Sequence, residues 1–116
     1  MPALTIRQPW AALVVTGRKR IEWRTWATSH RGPLLIHAAA RPAPGVPTPR
    51  PVRGLASVTG ALIGQVSVTG CERCPCGCGM WGWVLDDPMT MEPVPMTGRL
   101  GLWDVTSASG PRFPPS

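Results

Sequence analysis

Tyrosine is absent from this sequence, phenylalanine and lysine occur once each, and acidic residues number only six. Without tyrosine, aromatic surface falls to the six tryptophans, and in a small domain most such rings belong to the core, so at least three are expected to be buried. With Lys19 as the only lysine, the positive charge is almost wholly arginine, a side chain suited to phosphate and to planar base edges. Twelve Lys and Arg against six Asp and Glu give a net charge of +6. That balance fits a polyanionic partner such as nucleic acid, and it equally fits a basic surface with no dedicated partner. Long apolar runs are missing too: Arg, Gly or Pro interrupts every stretch well short of the roughly 20 residues needed to cross a bilayer, which argues against a membrane partner. The first ten residues have no cationic start, apolar run and small-residue cleavage site, so no secretory signal is visible and a cytoplasmic protein is expected.

What is abundant points to strands and turns. Thirteen glycines and fifteen prolines in 116 residues disfavour long helices. The length suits one hydrophobic core, taken as a domain over residues 1–106 with a disordered Ser/Gly/Pro tail at 107–116 and a monomer as the working expectation. Leu4 to Arg7 reads as a strand. Pro9 opens a helix of about two turns that Gly17 ends, with Trp10, Leu13 and Val14 on its packed face. Arg18 to Trp26 alternates, placing Ile21, Trp23 and Thr25 on one side and Arg20, Glu22, Arg24 and Trp26 on the other. For Trp23, core packing is the simpler role, since it alternates with Ile21, and base stacking is the alternative. Pro33 to Ala39, Ala61 to Thr69, Trp81 to Leu85 and Leu100 to Thr106 complete a set of five to six short strands. The fold class is therefore α+β, mainly β, with one or two short helices and a closed or nearly closed barrel that removes sheet edges. Arg41 to Arg53, rich in Pro and Arg, lacks either period and reads as a mobile basic loop.

Taken in order, Leu4-Thr5-Ile6-Arg7-Gln8-Pro9-Trp10-Ala11, Gly17 through Trp26 and Arg31-Gly32-Pro33-Leu34-Leu35-Ile36-His37-Ala38 resemble the ASCH domain family. The later segments Ala61 to Gly64, Trp81 to Leu85, Pro93 to Pro95 and Gly98 to Trp103 follow that family's order, so the resemblance spans about residues 3–106. It implies a PUA-like β-barrel, a superfamily associated with RNA and, in some branches, with modified nucleosides. Some ASCH proteins resemble amidohydrolases acting on N4-acetylcytidine, and ribonuclease activity is also attributed to the family.

The candidate site is the cluster Lys19, Glu22 and Arg24. Glu22 and Arg24, two apart on a strand, project to one face, where Arg24 could hold a phosphate or carbonyl and Glu22 could accept an amino proton from a base. Lys19 joins them only if Gly17 turns the chain. The alternative is a surface ion pair worth ~0–1 kcal/mol. The amidohydrolase branch resembles a lysine followed three residues later by a nucleophilic threonine. That position is Glu22 here, which could activate water as a general base beside Lys19 but could not form an acyl-threonine. Arg7, Trp10, Trp26, Arg31 and His37 complete the candidate ligand set, with Trp10 and Trp26 as stacking surfaces, Arg31 as a phosphate contact and His37 also readable as a core histidine.

Cys71, Cys74, Cys76 and Cys78 lie in one short segment within the loop at 71–79. Four thiolates could hold zinc, although strong zinc motifs clamp two separated pairs, and a reduced loop without metal is the competing reading. No cofactor is required by the rest of the sequence. Three functions follow: a module binding RNA, a nucleotide or a modified nucleoside through a basic cleft; a hydrolase using Lys19 and Glu22; and a zinc-stabilised adaptor for protein partners.

Overall fold

The computed structural model describes residues 1–105, so the expected tail at 107–116 lies outside the described residues. Its elements are β1 (Pro2–Ile6), α1 (Trp10–Val15), β2 (Ile21–Arg24), β3 (Gly32–Ala38), a 3₁₀ turn at Arg50–Val52, α2 (Arg53–Ala56), β4 (Ala61–Arg73), β5 (Trp81–Pro95) and β6 (Leu102–Asp104). The six strands form one sheet in the order β2-β5-β4-β3-β1-β6, mostly antiparallel with β1 and β3 parallel. This is the mainly β, α+β architecture that the alternation and turn pattern predict.

The long β4–β5 hairpin shapes the sheet. Its register shifts between Leu62 and Gly64, between Gln65 and Ser67, and between Val68 and Gly70. Each irregularity increases local twist and bends the ladder, so the sheet curls into a half-barrel instead of lying flat. Inside the curl, Leu4, Ile6, Leu34, Ile36, Ile63, Val66, Val68, Trp83 and Leu85 form the main core. A smaller cluster of Ala3, Leu62, Trp103 and Val105 lies beyond it.

Helix α1 closes one side of the curl. Its buried residues are Ala11, Ala12, Val14 and Val15, whereas Trp10 and Leu13 are only partly covered. The packed face is thus rotated from the expected Trp10, Leu13 and Val14 stripe. The small alanines let the helix approach closely, and a Cβ on Gly64 would lie 2.7 Å from Val15 Cγ1 and 2.3 Å from the Met89 carbonyl. Gly17, at φ 78°, ends the helix in the left-handed region as the sequence predicts.

The Pro/Arg-rich segment is irregular through residue 49 and then forms the 3₁₀ turn and α2, with Val52 buried. Gln8 ties it down. Its fully buried side chain donates to the carbonyls of Leu55 at 3.1 Å and Val58 at 2.8 Å, while its Oε1 accepts from Ala12 N–H in the first turn of α1 at 2.9 Å. One amide therefore caps a helix and anchors a distant loop, an attachment absent from the simple loop reading.

Tryptophan burial also departs from expectation. Only Trp83 and Trp103 are buried, at 0% and 6% exposure, while Trp23 and Trp26 lie on the surface. Strand β2 explains Trp23: its polar residues face inward and its apolar residues face out. Ile21 and Trp23 cover the outside of the sheet over Gly82, where an added Cβ would meet Trp23 Cζ3 at 3.0 Å.

Candidate ligand cavity

Because β2 is a terminal strand of the curled sheet, its inward face meets a cavity rather than the core. Glu22 is 7% exposed, and its carboxylate is held from two sides. Lys19 Nζ lies 2.7 Å from Oε1 and Arg24 Nη2 lies 3.0 Å from Oε2. The turn after α1 brings Lys19 back to Glu22, the geometry required of Gly17. Arg24 Nη2 also donates to the Thr5 carbonyl at 3.0 Å, so this side chain crosses the open seam between β2 and β1. Its Nε is buried without a protein partner.

The cavity at this end has a volume of about 1000 Å³. Glu22, Arg24, Arg7, Trp10, Trp23 and His37 all contribute to its wall. The far rim is the segment from Pro95 to Gly101, in which Arg99 and Leu100 are exposed. Arg7 and Arg99 thus bring positive charge to a mouth whose inner wall carries a carboxylate and a guanidinium.

His37 secures that rim. Its Nε2 lies 2.7 Å from the Met96 carbonyl, which accepts only if Nε2 carries the proton. Nδ1, 3.3 Å from Thr5 Oγ1, then accepts the threonine hydroxyl, and Trp103 Nε1–H donates to that same hydroxyl oxygen at 3.2 Å. The chain Trp103, Thr5, His37, Met96 is self-consistent for a neutral imidazole. Burial lowers the His37 pKa from its ordinary value, partly offset by the Met96 hydrogen bond. Gly98 covers the ring: a Cβ there would come within 2.7 Å of His37 Cε1 and Nδ1. With both ring nitrogens engaged, His37 presents neither a free base nor a free donor to the cavity.

Three of the residues singled out from the sequence lie elsewhere. Lys19 contacts Glu22 but is not part of the cavity wall. Trp26 lies edge-on to Trp83, with ring centroids 4.7 Å apart, and its carbonyl accepts from Trp83 Nε1. Arg31 sits at the opposite end of β3 from His37 and bonds the carbonyls of Thr28 and His30. Sequence reading missed Arg99 and the Met96 to Gly101 rim, whose local sequence gives a turn but not the wall it covers.

The cysteines divide as well. Cys74, Cys76 and Cys78 gather at the β4–β5 hairpin tip with their sulfurs within 4.8 Å of one another, an arrangement that could hold a metal. Cys71 belongs to β4, opposite Trp83, and packs against the core. Of the four cysteines, strand register thus places Cys71 on the sheet and leaves the other three together at the tip.

A curled, six-stranded β domain with a cavity at the C-terminal ends of β1 and β3 is the class that these features define. The chain belongs to the ASCH domain family, whose model matches residues 4–80. It is 44% identical to human "Activating signal cointegrator 1" over 62 residues, or 53% of this chain and 10% of that protein. The mouse protein of the same name is 55% identical over 42 residues, covering 35% of this chain and 7% of its own length. The matched region thus spans at most about a tenth of these relatives. Among solved structures, ASCH from Zymomonas mobilis superposes with a TM-score of 0.54 at 13% identity, covering 81% of this chain and 72% of that one. A mutant of it gives 0.55, also at 13% identity, with coverages of 81% and 74%. At that identity the likeness concerns the fold.

Proposed function

We propose that the cavity binds one nucleotide unit of RNA, or a free nucleotide or modified nucleoside, and that it does so without catalysis. The observation that carries this reading is the Glu22–Arg24 pair on the inner wall. A carboxylate beside a guanidinium offers an acceptor next to a donor, complementary to a base edge that presents a donor next to an acceptor, as cytosine and guanine do. Each Glu22 oxygen retains accepting capacity after its ion pair, so the site can be held rigid and still read a ligand.

Around that pair, Trp10 provides a stacking surface and Arg7 and Arg99 provide phosphate contacts at the mouth. Hydrolysis fits less well. Lys19 Nζ is bound to Glu22 and the Ile21 carbonyl and does not line the cavity, so it is poorly placed to activate a nucleophile there. Titration calorimetry with cytidine monophosphate, guanosine monophosphate and a short single-stranded RNA tests the proposal, alongside product analysis with N4-acetylcytidine and labelled RNA. Saturable binding without product supports it. Turnover that vanishes in Glu22→Gln would replace it with the hydrolase reading.

A further inference from the structure

Outside the cavity lining, the tip of the β4–β5 hairpin joins Arg73 to Trp81 through Cys74-Pro75-Cys76-Gly77-Cys78-Gly79-Met80. Gly77 and Gly79 both have positive φ, at 78° and 84°, and these left-handed residues fold the turn back so that alternate side chains converge. The backbone N–H of Cys76 donates to Cys74 Sγ at 3.4 Å, and that of Cys78 donates to Cys76 Sγ at 3.3 Å.

From this geometry we infer that Cys74, Cys76 and Cys78 form a three-thiolate site for one soft d10 cation, zinc(II) or copper(I), with no protein ligand in a fourth position. Three sulfurs around one zinc at ~2.3 Å stand ~3.8 Å apart, so a mutual limit of 4.8 Å needs only a small contraction of an exposed turn. Thiolates select such ions over hard cations such as magnesium and calcium. Cys71 is held on β4 against the core, and no histidine or carboxylate joins the cluster among the described residues. Zinc(II) therefore completes its tetrahedron with solvent or a donor from another molecule, whereas copper(I) is satisfied by the three thiolates. Binding displaces thiol protons to solvent and involves no redox step.

The test uses the whole reduced protein under anaerobic conditions. Cobalt(II) serves as the optical probe for the zinc geometry, and zinc(II) and copper(I) are titrated separately, with free-thiol counts before and after. One equivalent of metal, three protected thiols and tetrahedral cobalt bands are expected, with Cys71→Ser binding as tightly as wild type. Cys76→Ser should weaken binding by more than about tenfold, the smallest loss typical of removing even an outer-shell partner of a ligand, while circular dichroism remains native. Competition between zinc(II) and copper(I) then identifies the preferred ion. Equal losses in Cys71→Ser and Cys76→Ser would overturn the three-ligand assignment, as would unchanged binding in both. Failure of wild type to bind any of the three ions tightly would overturn the site itself.

Discussion

Glu22 and Arg24 meet at 3.0 Å on the inward face of β2, and the same guanidinium nitrogen reaches across the seam of the sheet to the carbonyl of Thr5. One side chain thus organises a carboxylate and fastens two strands that are not neighbours in the sheet. Arg24→Ala should weaken nucleotide binding and also lower stability by ~1.5–3 kcal/mol, the range for hydrogen bonds to charged groups. Arg24→Lys keeps the charge but shortens the side chain, drawing the donor back from the position of Nη2, from which both partners are reached. Chemical denaturation and binding titration of both variants check this, and an Arg24→Ala protein as stable as wild type would show that the seam contact contributes nothing.

Stability should depend on pH through His37. Because burial lowers its folded pKa below the ordinary value of 6.5, the unfolded chain takes up that proton first as pH falls. The contribution of the neutral imidazole is complete above about 6.5 and is lost as pH falls from there through the lower folded value. Denaturation midpoints measured between pH 7.5 and 5 should decline in wild type, and His37→Gln should flatten this part of the profile. A wild-type midpoint that rises towards pH 5 contradicts the neutral relay from Trp103 to Met96.

Gly64 sets the distance between α1 and the sheet. Gly64→Ala forces a methyl group towards Val15 and the Met89 carbonyl, so a loss of ~1–3 kcal/mol from overpacking is expected. The paired change Gly64→Ala with Val15→Ala should recover part of that loss on the helix side. Thermal unfolding of the single and double variants measures the recovery.

Trp103 is buried and donates to Thr5 Oγ1, and its ring lies edge-on to His37 with centroids 5.5 Å apart. Trp103→Ala should cost ~3–5 kcal/mol through the cavity it leaves. Serine at Cys74, Cys76 and Cys78 in metal-free protein should change the melting temperature by only a few degrees, because the tip contributes little buried apolar surface. Calorimetry compares the two, and a larger loss in the cysteine variant contradicts this division of stability.

The fold was legible where pattern and geometry agree. Apolar alternation in β4, the positive-φ requirement at Gly17 and the short run of β3 each mark an element from local chemistry. The orientation of β2 was not. Alternation separates Ile21 and Trp23 from Glu22 and Arg24 but does not say which pair faces inward, and the usual assumption that apolar residues go inside reverses it. A terminal strand bordering a cavity has no core to fill on that side. Gln8 was equally hidden, because its partners at Leu55 and Val58 are set by tertiary folding. Strand register separates Cys71 from the other cysteines, and spacing within one short segment cannot reveal that register. Glu22 and Arg24 could be paired from their spacing alone, but their place on a cavity wall with Trp10 and His37 depends on the curl of the whole sheet.

The most direct measurement of the central claim is the affinity of wild type, Glu22→Gln and Arg7→Ala for one short single-stranded RNA across a range of salt concentrations. If Glu22 reads a base inside the cavity and Arg7 holds phosphate at its mouth, Glu22→Gln should lose at least ~1–3 kcal/mol of binding with little change in salt dependence. Arg7→Ala should instead reduce the slope of log affinity against log salt by ~0.7. Equal affinities and slopes for all three proteins would contradict the assignment of this cavity as the nucleotide site.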